Sequence, residues 1–151
     1  GLKDALNLDN FKTHDVLIQE YTPSTGTVYK VYMIGDTIEG YKRASHAKID
    51  DSVSYHMFDS QSEQTGAKEA KDNPISSTDF NLDELDSFMR TLKKEFGISF
   101  FGIDLIRNVE EPHIVSIIDV NYFPGYRETD DLQGKLSEYV QRSFRDWSQA
   151  Q

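Results

Sequence analysis

The chain reads as an α+β domain, an antiparallel β-sheet with helices packed on one face, and three observations carry that reading. Two apolar runs flank the dipeptide Gly35-Asp36, and two more flank the polar stretch 108–113; both links are too short for a parallel crossover. Two segments repeat apolar residues at helical spacing, one before and one after the second pair of runs. Paired strands first and helices set between or after them give an antiparallel sheet rather than alternating β-α-β units.

Taken in order, residues 1–8 read as the tail of a helix, too short to stand alone. Residues 15–21 read as a strand built on Val16, Leu17 and Ile18, followed by a loop at Pro23-Ser24-Thr25-Gly26. Residues 27–34 and 37–45 form a hairpin about Gly35-Asp36. With Ile34 opposite Thr37, Lys30 faces Tyr41 and Arg43 faces Val28. Alternation then places Lys30, Tyr41, Arg43 and Ser45 on one face, with Tyr29, Val31, Met33 and Ile38 on the other. The stretch 46–79 is polar, with strand character only at 53–58, and is expected to be a long mobile loop. Asn81 and Glu84 form a capping box that opens a helix. Leu85, Phe88, Met89, Leu92 and Phe96 are its core stripe, and Gly97 ends it. A last helix starts at Thr129 or Asp130, with Leu132, Leu136, Val140, Phe144 and Trp147 as an apolar stripe.

Composition narrows the function classes. A length of 151 residues with 37% hydrophobic and 12% aromatic content suits one globular domain, 1–151, with a real core. The 26 acidic and 16 basic residues give a formal charge of −10, which argues against a nucleic-acid partner. The absence of cysteine excludes disulfides, thiolate metal sites and cysteine nucleophiles. His14, His46, His56 and His113 show no paired spacing for zinc. No apolar run approaches the about 20 residues that span a bilayer, and no signal pattern opens the chain. A cytoplasmic protein with no membrane partner is the expectation; nothing in the composition sets the oligomeric state.

The chemistry is concentrated at Asp104, on one run of the second pair, and at Asp119 and Asn121 on the other. Asp119 and Asn121 are two apart and share a strand face, with Val115 and Ile117. Asp104 shares its face with Phe100, Gly102 and Ile106. Pairing Asp104 with Asp119 puts Asn108 opposite Val115 and leaves a short loop. Two bare aspartates directly opposed repel, so this register implies a cation between them. Two carboxylates and an amide oxygen are the hard donors that magnesium takes beside nucleotide phosphates and water. The reverse faces, Phe101, Ile103, Leu105 and Ile114, Ile118, Val120, are apolar and suited to covering helices. The bland alternative, two surface aspartates at strand ends, stays open on residue types alone.

These residues resemble a known family. Phe100-Phe101-Gly102-Ile103-Asp104 and Ile118-Asp119-Val120-Asn121-Tyr122-Phe123-Pro124-Gly125-Tyr126 look like segments of the inositol 1,3,4-trisphosphate 5/6-kinases, within the ATP-grasp superfamily. Gln19-Glu20-Tyr21, the run from Tyr29 to Asp36, and Arg43-Ala44-Ser45 fit the same order, over about residues 15–145. The resemblance implies the C-terminal lobe of an ATP-grasp fold. It also implies an ATP- and magnesium-dependent inositol polyphosphate kinase, with ATP as co-substrate and two magnesium ions. Asp104, Asp119 and Asn121 would be the metal ligands, Asp119 bridging both ions. Gln19, Glu20 and Tyr21 would meet the adenine, and Ser45 the nucleotide. Lys30 would reach both the transferred phosphate and the inositol phosphates, Arg43 would grip phosphate oxygens, and Gly125 and Asn121 would lie near the inositol ring.

Bland alternatives stand beside these roles: an exposed strand cation for Lys30, a structural salt bridge for Arg43, a turn glycine for Gly125. The family's pattern often continues Pro-Gly-Tyr with an acidic residue and glycine; Arg127 and Glu128 follow here, which leaves the inositol isomer open. The family's N-terminal domain and first lobe have no counterpart in these residues, so a C-terminal portion is the expectation. Two other functions compete: a carboxylate–amine ligase using the same metals, and a fragment that binds nucleotide or inositol phosphate without turnover.

Overall fold

A computed structural model describes residues 22–45 and 73–150. Five strands form one antiparallel sheet: β1 (Ser24–Ile34), β2 (Thr37–Ala44), β3 (Asn73–Pro74), β4 (Phe100–Asn108) and β5 (Val115–Tyr122), in the order β3-β2-β1-β4-β5. Among the described residues two helices join them, α1 (Leu82–Phe96) and α2 (Leu132–Gln149). The strand expected at 15–21 and most of the loop expected at 46–79 lie outside the described residues.

The β1–β2 hairpin has the expected register: Ile34 pairs with Thr37, Lys30 with Tyr41 and Val28 with Arg43. Gly35 turns the chain at φ 66°, and a Cβ there would meet the Tyr139 ring at 2.4 Å, so α2 packs directly on the turn. β1 is central, and its two faces divide the molecule. Tyr29, Val31 and Met33 enter a core with Phe101, Ile103, Leu105 and Met89 of α1. On the other face Tyr32 and Ile34 pack with Tyr126, Phe100 and Leu132 of α2. The helices thus do not share one face: α1 covers the first, and α2 reaches the second at the hairpin end of the sheet.

α1 starts as expected, with the Asn81 side chain accepting from the Asp83 and Glu84 N–H groups, and it ends at left-handed Gly97. The final helix begins slightly later than expected, because Asp131 is its cap and accepts from Gly134 N. Gly134 is required there, since a Cβ would come within 2.2 Å of the Asp131 carboxylate.

Four local expectations need correction. Residues 24–26 belong to β1 rather than to a loop, because Ser24 pairs with Asn108 across a register shift and Gly26 takes φ 80°. Residues 73–79, assigned to the long loop, pack instead: Asn73 and Pro74 pair with β2, Ile75 N donates to Gly40 O, and Lys42 holds Asp79 at 2.9 Å. In the α1 stripe only Met89 is fully buried, with Leu85 and Leu92 against the core. Phe88 and Phe96 are 39% and 43% exposed, on the rim. In α2, Val140, Phe144 and Trp147 are exposed.

The fourth correction concerns β4 and β5. Asp104 does pair with Asp119, but the next pair is Leu105 with Ile117, so Ile118 is an extra residue. This bulge shifts the register by one, and Arg107 rather than Asn108 faces Val115. Beyond a bulge the side chains change face. Val115 therefore packs against the core instead of sharing Asp119's face. Ile118 and Val120, expected under helices, are about half exposed on the edge strand.

Asp36 ties the hairpin turn to both helices. It accepts from Lys93 of α1 at 2.5 Å and from Arg142 of α2. The Lys93 hydrogen bond, aided by the Arg142 charge, holds its carboxyl below the usual range. A carboxylate with a depressed folded pKa stabilises the fold above its unfolded value, and that contribution is lost as pH falls through the folded value. Asp36→Asn is expected to lower the melting temperature at pH 7 by about 2–4 °C, the size of one surface ion-pair network. The difference from wild type should narrow once pH drops below about 4. Calorimetric melts from pH 7 downward check both the drop and its direction.

Candidate active site

The face of β1 that carries Lys30 and Tyr32 opens into a cleft of about 270 Å³. Its floor comes from neighbouring strands: Arg43 of β2, Lys30 and Tyr32 of β1, Gly102 and Asp104 of β4, and Asn121 of β5. Its rim is the segment after β5, from Pro124 to Glu128. Lys30 pairs with Asp104 across β1 and β4, and the two charges are 3.8 Å apart. Both are largely shielded from solvent, with side chains 19% and 14% exposed. Arg43 has no ion-pair partner among the described residues.

Asp119 faces Asp104 across the strand pair, and Asn121 donates to Asp119 at 2.6 Å. Burial pushes the Asp104 carboxyl above its usual range; Lys30 and Arg43 oppose the shift, and Asp119 and Glu128 add to it. Among the described residues no group of three or more His, Cys, Asp or Glu is arranged to hold a metal ion. The donor set nonetheless fits a divalent cation: two carboxylates of which one resists ionisation, plus an amide beside them. A cation there would relieve the repulsion that the register imposes.

The rim is held by aromatics. Phe123 and Tyr126 both adopt positive φ, 53° and 48°, uncommon for bulky residues. Packing holds that conformation against a cost of about 1–3 kcal/mol each. Tyr126 is buried and its hydroxyl donates to Met33 O at 3.3 Å, while its ring lies edge-on to Tyr32 and Phe123. Burial raises its pKa to about 12. Tyr32 is also pushed upward, by burial and by the 2.6 Å hydrogen bond it donates to Glu128. Gly102 lies beneath this wall, where a Cβ would meet the Tyr32 ring at 2.9 Å and Pro124 at 3.1 Å.

Gly125 is different. Its φ is not in the left-handed range, and a Cβ there would meet only Arg127 at 3.8 Å. Neither the turn nor the packing demands glycine, and its lack of a side chain leaves that part of the rim open.

Of the residues expected at the site, the fold gathers Lys30, Arg43, Asp104, Asn121 and Gly125 around the cleft, with Asp119 beside Asp104 and Asn121. Ser45 does not line it; its N–H donates to Gly26 O at the end of the hairpin. Gln19, Glu20 and Tyr21 lie outside the described residues. Sequence reasoning missed Tyr32, Gly102 and Glu128. Tyr32 was within reach, because it is two residues from Lys30 on the same strand face. Glu128 was not, because its contact spans 96 positions along the chain.

Residues 6–142 match the model of the inositol 1,3,4-trisphosphate 5/6-kinase ATP-grasp domain. The chain belongs to this family of ATP-grasp inositol phosphate kinases. Inositol-tetrakisphosphate 1-kinase 1 of Arabidopsis thaliana is 27% identical over 82% of this chain and 42% of the relative. Inositol-tetrakisphosphate 1-kinase 4 of Glycine max is 30% identical over 83% of this chain and 38% of the relative. The chain thus spans about two-fifths of the length of these relatives. Among solved structures, the macrocyclase MdnC bound with precursor peptide MdnA from Microcystis aeruginosa MRC matches at TM-score 0.47 and 15% identity. That match covers 79% of this chain and 34% of the other, and it is too loose to carry a functional argument.

The family membership accounts for the α+β architecture, an ATP-grasp lobe with an antiparallel sheet. No helix of the described residues is long and apolar enough to cross a membrane.

Because ionising Asp104 is disfavoured by its burial, the folded state holds its proton more tightly than the unfolded state does. Such a group costs stability once pH exceeds its unfolded value. Asp104→Asn is therefore expected to melt no lower than wild type at pH 7. Any advantage of the variant should shrink on acidification, as the wild-type carboxyl takes up its proton. A variant that melts several degrees lower at pH 7 would mean that the Lys30 pairing outweighs burial.

Proposed function

We propose that this chain forms the acceptor- and metal-facing part of an inositol polyphosphate kinase, which moves the terminal phosphoryl group of ATP to a ring hydroxyl. The observation that supports the reading is the meeting of Lys30 and Arg43 with Asp104 and Asn121 at one cleft, with Asp119 paired to Asp104 beside it. Cations there suit phosphate oxygens, and the carboxylates suit the counterions of a nucleotide. Family membership supports the same chemistry.

In the reaction, the acceptor oxygen attacks the terminal phosphorus, the bond to the bridging oxygen of ADP breaks, and the acceptor hydroxyl loses its proton. Positioning and charge stabilisation do most of the catalytic work in such transfers. Lys30 lies at the centre of the sheet, between the carboxylates of β4 and β5 and the Arg43 guanidinium of β2. From there it can hold the phosphoryl group in transit, and Arg43 can fork onto acceptor phosphates. Asp104, Asp119 and Asn121 would hold two magnesium ions, with Asp119 shared. When bound, magnesium neutralises charge on the terminal phosphates. Lys30 lies 3.8 Å from Asp104 at the cleft floor, where its ammonium can also meet a phosphate oxygen. Gly125 leaves the rim open to the ring. Gln19, Glu20 and Tyr21 are proposed to meet the adenine, and Ser45 the nucleotide.

The carboxylate–amine ligase reading uses the same metals but gives no role to the Gly125 opening beside two cations. Binding of nucleotide or inositol phosphate without turnover is a further reading of the same cleft.

In a kinase that includes the remaining three-fifths, Asp119→Ala is expected to abolish phosphoryl transfer, a loss of at least about 10³-fold. Lys30→Ala should weaken use of inositol phosphate more than binding of adenine nucleotide. Magnesium should raise the melting temperature of wild type and not that of Asp104→Asn. Steady-state assays with inositol trisphosphate, amino acids and peptides as acceptors check the reaction class. Full activity in Asp119→Ala, or ADP release with amino acids alone, would overturn the reading.

A further inference from the structure

The cleft holds a third cation that the proposed reaction does not use. Arg127 lines the rim two residues after Gly125, and it makes no hydrogen bond or ion pair among the described residues. In a chain of net charge −10, with 26 carboxylates to 16 cations, an arginine with no acidic partner among the described residues is a notable placement.

Its backbone is nevertheless firmly held. Tyr126 on one side is buried and hydrogen-bonded to Met33 O, and Glu128 on the other accepts from the Tyr32 hydroxyl. Thr129 N donates to Tyr126 O and closes the turn around Arg127. The residue's position is therefore ordered, while its guanidinium has no partner among the described residues. Arg43, on the floor, is likewise without an ion-pair partner among the described residues. Two guanidiniums, one on the floor and one on the rim, flank an opening where Gly125 presents no side chain.

We propose that Arg127 is a specificity-determining phosphate contact, which favours acceptors carrying several phosphates over those carrying one. This rests on the reading of the cleft as an inositol phosphate site. Lys30 and Arg43 serve the transferred group and a first acceptor phosphate; Arg127 grips a further phosphate on the ring, beyond Gly125. A planar fork of donors can engage two phosphate oxygens at once, which an ammonium cannot do.

Titration of the 151-residue protein followed by ³¹P NMR tests this, with inositol tetrakisphosphate, inositol monophosphate and magnesium-ADP as separate probes. Arg127→Ala is expected to weaken tetrakisphosphate binding about tenfold or more, with monophosphate and ADP unchanged within twofold. Arg127→Lys should restore only part of the loss. Equal binding of tetrakisphosphate by wild type and Arg127→Ala would overturn the proposal and leave the kinase reading intact. Equal losses for both inositol phosphates would also overturn it, as would a loss confined to ADP. If wild type binds ADP but neither inositol phosphate, the acceptor reading fails and this inference with it. Matching far-ultraviolet circular dichroism and melting curves establish that the variants fold.

Discussion

Everything in this molecule hangs on the two-residue alternation of β1, the strand at the centre of the sheet and paired on both sides. Val31 and Met33 are fully buried, while Lys30 and Tyr32, one step out of phase, look into the cleft. A slip of one residue would exchange the two sets, carrying a lysine into an apolar core at a cost of several kcal/mol. The pairing is thus held in place by the same burial that makes the core. From it follow the position of Arg43, through the hairpin, and that of Asp104, through the β1–β4 ladder. The site is the reverse side of the hydrophobic core.

That arrangement concentrates unfavourable electrostatics at one place. Asp104 and Asp119 face each other, Asp104 resists ionisation, and Glu128 adds a further carboxylate at the rim. Lys30 and Arg43 offset part of this, and a divalent cation would offset the rest. The rim adds backbone strain at Phe123 and Tyr126, held by their packing with Phe100 and Tyr32. Strain and like charge thus gather at one cleft, where they are held by packing from the core behind it.

Much of this was legible beforehand because it depends on short-range rules. The hairpin register follows from a two-residue turn and a strict alternation. The α1 cap follows from an asparagine oxygen placed ahead of unpaired N–H groups, and its end from Gly97. The opposition of Asp104 and Asp119 was also readable, since the register that leaves a short loop between the two runs pairs them. What followed them was not. The bulge at Ile118 inserts one residue without any glycine or proline to announce it, and it turns Val115 inward to the core. The expected helix cover over Ile118 and Val120 failed for the same reason: hydrophobicity says that a side chain gains from burial, not which element arrives to bury it.

The amino-acid sequence by itself determined the element types, the central hairpin, the facing aspartates and the kinship with inositol phosphate kinases, because each is written in contiguous residues or fixed spacing. Tertiary structure alone decided that α2 reaches the face opposite α1, that Asn73 and Pro74 add a strand, and that Phe88 and Phe96 lie on the rim. It also decided that the segment 123–128 folds back over β4 and β1, bringing Tyr32 to Glu128 and leaving Arg127 at the cleft mouth. Those outcomes turn on contacts between residues tens of positions apart, where the balance of burial, charge and strain is settled only when the chain has folded.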